Sequence, residues 1–246
     1  MSVGPGASVG AGDPTPAKRP VGRPPRISRQ SIAEAASEIG LADLTLRAVA
    51  DRLGVSITGL YHHIQDKDDL MRLAAEYSAT RVQLPEDRGQ HWAVWLLEWA
   101  SYSREVFLAQ PGLLGQFLEG AISMEAIAEK VDTMLDLLVR QGFTLVEANA
   151  AFSLVNSCAV GSAVQAIREA KAATAGRASV AEHRRVLAQH GPDELVHLRG
   201  LLADPAAATP PFAVQLTTVL IGIAARRGES LGSVPALRTG PVGPSA

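Results

Sequence analysis

The sequence predicts an all-α protein built as a small helix-turn-helix head on a larger helical body, and three observations lead to that class. Apolar residues recur at helical spacing along most of the chain. Strand-like alternation is absent from it. Between Leu44 and Leu70, a Thr45-capped helix runs into a tight turn at Gly54 and then into a short helix capped by Ser56.

Composition bounds the reading before any motif does. With 246 residues, 47% hydrophobic and 20% charged, the chain can bury a proper core in one domain or in a head plus a body. A formal net charge of −2 carries no global nucleic-acid signature, so any affinity for DNA has to come from local charge. The single cysteine, Cys158, sits in an apolar run and reads as a small core residue, and one cysteine excludes an intrachain disulfide. No apolar run approaches the ~20 residues of a membrane span and the N-terminus lacks the signal-peptide pattern, so the expected location is the cytoplasm, with no membrane partner.

Residues 1–27 are expected to be a disordered arm. Its first part is Gly, Pro, Ala and Ser with almost no apolar anchor, followed by a basic segment over 18–29 with five positive residues and no acid. Within that segment Gly22-Arg23-Pro24 is similar to the AT-hook element, in which an arginine enters a narrow A·T minor groove. Arg23 and Arg26 are therefore candidate DNA contacts; the plainer alternative is a flexible basic tail that attracts phosphate through counterion release.

The head spans 28–80. Ser28 caps its first helix, Ile27 and Ile32 can form a hydrophobic staple, and Ile32, Ala35, Ala36 and Ile39 share one face before Gly40 ends it. Leu46, Val49, Ala50 and Leu53 repeat the spacing in the second helix. Asp66 caps the fourth, with Asp69 at N3 as a short relative of the capping box. Between Gln30 and Thr80 there are four basic and eight acidic residues, so this stretch alone is net negative and the arm has to offset it.

The body spans 81–227. Long helices are expected over 90–109, 112–119, 123–141 and 145–171, bounded by Pro111, Gly120 and Gly142. The stretch 172–210 holds one or two weak helices, broken at Gly191-Pro192 and Asp204-Pro205. Pro211 then opens a last helix, Phe212 to Arg226, which is apolar nearly all round. A mobile tail is expected over 228–246.

The residues Thr45, Leu53-Gly54-Val55-Ser56, Leu60-Tyr61-His62-His63 and Lys67 resemble the head motif of the TetR family of bacterial repressors. The resemblance covers about residues 28–80. It implies that Arg47 reads a base or phosphate, that Ile57, Thr58, Gly59 and Tyr61 face the major groove, and that Thr45, His62, His63 and Lys67 hold phosphates. Ser56 joins them at the start of the recognition helix, and Leu60 falls to the core. The chemistry agrees with that division: a helix N-terminus offers free N–H groups to phosphate, and Thr, Tyr, His and Lys add donors beside it. Base reading is thinner, because Ile57 and Gly59 offer no hydrogen-bonding side chain; Ile57 suits a thymine methyl and Arg47 a guanine.

In the body, Trp92, Trp95, Trp99 and Tyr102 lie at i, i+3, i+7 and i+10 on one face. This stripe is either core packing beneath the head or one wall of a ligand cavity. Gly142-Phe143-Thr144-Leu145 and Phe212–Ala224 resemble the tetracycline-repressor-like branch of the family, which implies a pocket. Candidate lining residues are Trp95, Trp99, Tyr102, Phe117, Met124, Met134, Phe152 and Asn156, a set suited to an apolar or amphipathic small-molecule effector. A magnesium–tetracycline ligand set cannot be placed here, and no metal or cofactor is expected. The broad apolar faces of 145–171 and 212–226 point to a homodimer, which sets two recognition helices on one side of a near-palindromic double-stranded operator.

The alternative is a helical small-molecule-binding enzyme or binding protein with a vestigial DNA-binding head, and catalysis has little to carry it. His183, His190 and His197 are seven apart, but Gly191-Pro192 interrupts the helix that would align them. His62 and His63 diverge by ~100° on a helix and cannot share a metal. Neither a phosphate loop nor a nucleophile elbow is present. The resulting expectation is a ligand-responsive DNA-binding regulator without catalytic residues.

Overall fold

The computed structural model describes residues 27–176, 179–203, 211–234 and 237, and among these the ordered elements are all helical. The head holds α1 (Arg29–Ile39), α2 (Leu46–Leu53), α3 (Ile57–Leu60) and α4 (Lys67–Arg81). Each begins at a side-chain cap, because a helix start leaves N–H groups that a short oxygen-bearing side chain can satisfy locally. Ser28 and Ser31 bond reciprocally across the first turn of α1. Thr45 Oγ1 accepts from Ala48 N at 3.0 Å, Ser56 Oγ from Gly59 N at 3.1 Å and Asp66 Oδ1 from Asp69 N at 2.8 Å. Gly54 ends α2 with φ 67°, a left-handed conformation that glycine adopts without a Cβ penalty, and this turn sets the angle between α2 and α3.

The body is α5 (Trp92–Ala109), α6 (Pro111–Leu118), α7 (Met124–Arg140), α8 (Leu145–Thr174), α9 (Ser179–Ala188), α10 (Val196–Ala203) and α11 (Phe212–Arg226), followed by a 3₁₀ turn at Leu231–Ser233. Helix α8 is the spine: α5, α7 and α11 all pack on it. By length and composition α8 could cross a bilayer, so the expectation that no run reaches that length is corrected. The small residues Ala148, Ala151, Val155, Ala159 and Ala163 bury one face of it, which makes it the central helix of a packed core.

The buried apolar residues form two cores. The head core gathers Ile32, Leu44, Val49, Leu60, Ile64 and Leu70, and is closed from the body side by Phe107, Leu113, Leu114 and Ala163. At this junction the backbone of Gly112 lies so close to Leu41 that a Cβ added at Gly112 would stand 2.6 Å from Leu41 Cβ. The body core gathers Trp92, Trp95, Leu96, Leu138, Val155, Leu216 and Leu220. Cys158 packs against that core half-buried, and burial pushes its thiol pKa up.

The start of the expected C-terminal tail is corrected. Leu231, Val234 and Leu237 are buried in the body core. Glu229 accepts from Trp92 Nε1 at 2.8 Å and from Arg227 Nε at 2.8 Å, while the Arg227 guanidinium lies 3.6 Å from the Phe143 ring centroid. Burial raises the Glu229 pKa, and the Arg227 and Trp92 donors lower it by more. These long-range partners hold the segment down, and no local sequence signal announces them.

Candidate nucleic-acid interface and adjoining cavity

The head leaves most of its expected DNA-facing residues open to solvent. Thr45, Arg47, Ser56, Ile57, Thr58, Tyr61, His62 and Lys67 are exposed, and Gly59 and His63 are half-exposed. Ile57 and Tyr61 stand out from the protein at 41% and 50% exposure, which leaves large apolar area uncovered on a helix of one turn. Leu60, in the same turn, is fully buried. The hydroxyl oxygens of Thr45 and Ser56 accept their cap bonds, so both O–H groups remain available as donors. Arg23 and Arg26 lie outside the described residues, as do the rest of 1–26 and 238–246.

Charge is distributed differently from the sequence expectation. Arg29, counted there with the basic segment, turns inward: its guanidinium donates to both carboxylate oxygens of Asp69, at 2.9 and 3.1 Å, and to the His63 carbonyl at 2.6 Å. Arg72 Nη2 donates to the same carboxylate at 2.6 Å and Gln65 N donates to it at 2.9 Å. Asp69 thus ties the α3–α4 connection to α1 instead of closing a box on its own cap. The Arg29 bond first, then the Gln65 N–H and Arg72, hold this buried carboxyl well below the usual carboxylate range despite the opposing effect of burial. Arg52 is paired with Glu38. Arg47 keeps only a loose contact to Asp51 at 3.8 Å between two exposed groups, and Lys67 has no ion pair among the described residues. Within 28–80, Arg47 and Lys67 are therefore the cations without a close ion pair among the described residues.

Beneath the head lies a cavity of about 290 Å³. Helix α5 contributes Trp99, Ser103, Val106 and Phe107; α6 contributes Leu113 and Phe117; α7 contributes Met124, Ile127, Lys130, Val131 and Met134; α8 contributes Asn149, Phe152, Ser153 and Asn156. Of the expected lining residues, Trp99, Phe117, Met124, Met134, Phe152 and Asn156 are at this cavity. Trp95 and Tyr102 are not, and their expected placement is corrected. Trp95 is buried in the body core with Nε1 donating to Pro85 O at 2.9 Å, and the Tyr102 hydroxyl accepts from Gln83 N at 3.3 Å. A helix face is wide enough that its ends meet different neighbours, so one stripe serves both core and cavity.

Sequence reasoning missed Ser103, Asn149 and Ser153, although each lies one helical turn from a residue it had chosen or, for Asn149, two turns from Asn156. Lys130 carried no signal at all. Phe107 and Leu113 also belong to the head core, so the cavity wall and the head share side chains. Among the described residues no three His, Cys, Asp or Glu side chains converge as metal ligands.

Residues 30–74 match the family profile described as bacterial regulatory proteins, tetR family. The chain is 26% identical over 166 residues to an HTH-type transcriptional regulator of Saccharopolyspora erythraea, covering 65% of this chain and 70% of that protein. It is 29% identical over 148 residues to the class D tetracycline repressor protein of Escherichia coli, covering 57% of this chain and 66% of the repressor. The structure of the TetR family protein ActR from Streptomyces coelicolor in complex with actinorhodin superposes with a TM-score of 0.64 at 21% identity, over 83% of this chain and all of that one. Residues 30–74 thus carry the head of the tetR family of bacterial regulatory proteins, on a body that shares the helical fold of ActR.

Proposed function

We propose that the protein is a ligand-controlled repressor that grips a near-palindromic operator as a homodimer and lets go when a small amphipathic molecule fills the cavity. The observation that carries this reading is the shared wall. Phe107 and Leu113 line the cavity and close the head core, and Gly112 beside them abuts Leu41. An occupant that moves α6 therefore acts on the head, and a ligand with higher affinity for a head spacing mismatched to DNA shifts the population off the operator. The exposed apolar residues Leu145, Val146 and Leu154 of α8 and Ile221 of α11 support a two-fold contact through these helices. Such a pairing sets recognition helices ~34–36 Å apart, or a multiple of that, on one face of the duplex.

On the DNA, Thr45, His62, His63 and Lys67 position the backbone, while Arg47, Ile57, Thr58 and Tyr61 read the major groove, with Ser56 and Gly59 allowing close approach. Arg23 and Arg26 add contacts from the arm. The test is footprinting of the full chain on the DNA flanking its own gene, with light scattering of the free protein. Protection of an inverted repeat by a dimer is expected; a stable monomer at micromolar concentration, or protection without symmetry, overturns the dimeric reading.

A further inference from the structure

The polar groups around the cavity specify what fills it. Trp99 is 8% exposed and its Nε1 is buried without a hydrogen-bond partner. One turn along α5, Ser103 is 6% exposed, and its hydroxyl has no bond to any described residue. Across the cavity on α8, the Asn156 side chain is likewise unbonded among the described residues. Buried polar groups in folded proteins are almost always paired, and leaving a donor unpaired costs about tenfold or more in an equilibrium constant. Trp99 Nε1 is such a donor, and the unbonded Ser103 and Asn156 on facing helices mark a place where its partner comes from outside the chain.

Charge sharpens the assignment. Lys130 is the one charged residue lining the cavity, no carboxylate lines it, and Lys130 has no ion pair among the described residues. It also borders an open cleft formed by Thr80–Leu84, Glu129 and Thr133, which shares Val82 and Leu84 with the cavity. Lys130 thus stands where the cleft leads into the cavity, between water and the apolar interior.

We infer that the effector is an organic acid with a flat apolar body: a ketone oxygen on its ring system accepts from the Trp99 N–H, and its carboxylate meets Lys130 at the mouth. The Trp99 and Phe152 rings, whose centroids are 6.1 Å apart and tilted by 42°, give the flat body an aromatic wall to lie against. Cationic amphiphiles are disfavoured by the same residues, since Lys130 repels a positive group and Glu129, the acid of the adjoining cleft, does not line the cavity. The inference rests on the regulator reading for its biological meaning, but its chemistry is tested without DNA.

The experiment is calorimetric titration of the full-length protein with three probes of one shape: 9-fluorenone-2-carboxylate, fluorene-2-carboxylate, which lacks the ketone oxygen, and 9-fluorenone-2-carboxamide, which lacks the charge. The keto acid is expected to bind about tenfold more tightly than either relative. Lys130→Met, a change at the mouth that keeps the stem, should erase the advantage over the amide and leave the amide itself unchanged. Trp99→Phe should erase the advantage over fluorene-2-carboxylate, and Ser103→Ala gives a second variant on that wall should Trp99→Phe fail to fold. Equal affinity for all three probes, no binding of any of them, or variants that weaken all three alike would overturn the assignment. Footprinting on the same preparations fails separately: a protein that discriminates the probes but ignores its flanking DNA overturns the regulator and leaves the ligand class standing.

Discussion

The head and the body treat buried polarity in opposite ways. In the head the buried carboxylate of Asp69 is met by Arg29, Arg72 and Gln65 N, so that few of its acceptor sites are left over. In the body Trp99 Nε1 is buried without a partner beside a cavity, with Ser103 and Asn156 unbonded around it. A satisfied network fixes one arrangement, whereas an unsatisfied one leaves room for alternatives. The head is built to hold a shape against DNA, and the body to take up a guest and change.

That contrast can be broken at its strongest point first. Asp69→Ala leaves two guanidinium groups and the Gln65 N–H without their acceptor, and thermal melts should show a loss of about 2–3 kcal/mol, held below the fully buried case because both arginines are half exposed. Next in size, Gly112→Ala forces α6 and Leu41 apart, at a cost of about 1–3 kcal/mol. Its more telling readout is operator affinity, which should fall further than the melting point alone explains. Thr45→Ala removes a cap worth about 1 kcal/mol and a phosphate donor together, whereas Thr45→Ser should restore both.

Acid gives a finer test of the head. The folded pKa of Asp69 is lowered, so its stabilising contribution is fully present above the unfolded value of about 4 and is lost as pH falls through the folded value. Melts between pH 7 and 5 should therefore be insensitive to this group, with a loss in strong acid that Asp69→Asn removes. The smallest effect sharpens the body's side. Trp99→Phe deletes an orphaned donor along with some packing, and the ligand-free protein should melt within about 1 kcal/mol of the parent although a large buried side chain has shrunk. A much larger loss would mean that the indole N–H finds a partner in solution.

The sequence was most legible where structure is local. Ser28, Thr45, Ser56 and Asp66 each act within three residues of themselves, so the caps of all four head helices could be read directly, and Gly54 with them. The exposed recognition turn followed from those caps. Arg29 was misassigned because its partner Asp69 lies on another helix, and an arginine beside a basic arm looks like more of the arm. The tryptophan stripe was found, but the division between Trp95 in the core and Trp99 at the cavity depends on what α7 and α8 place opposite. Lys130 and the buried Leu231, Val234 and Leu237 were invisible for the same reason, since their roles are set by residues far along the chain.

The three tryptophans of α5 have three different fates for the indole N–H: a carboxylate for Trp92, a peptide carbonyl for Trp95 and no partner for Trp99. Chains keeping one tryptophan at a time would thus carry spectroscopically distinct reporters within a few turns of one helix. Trp92 emission would register release of the C-terminal segment, Trp95 the integrity of the core, and Trp99 the arrival of a guest. A single fluorimeter could then time the three events against one another.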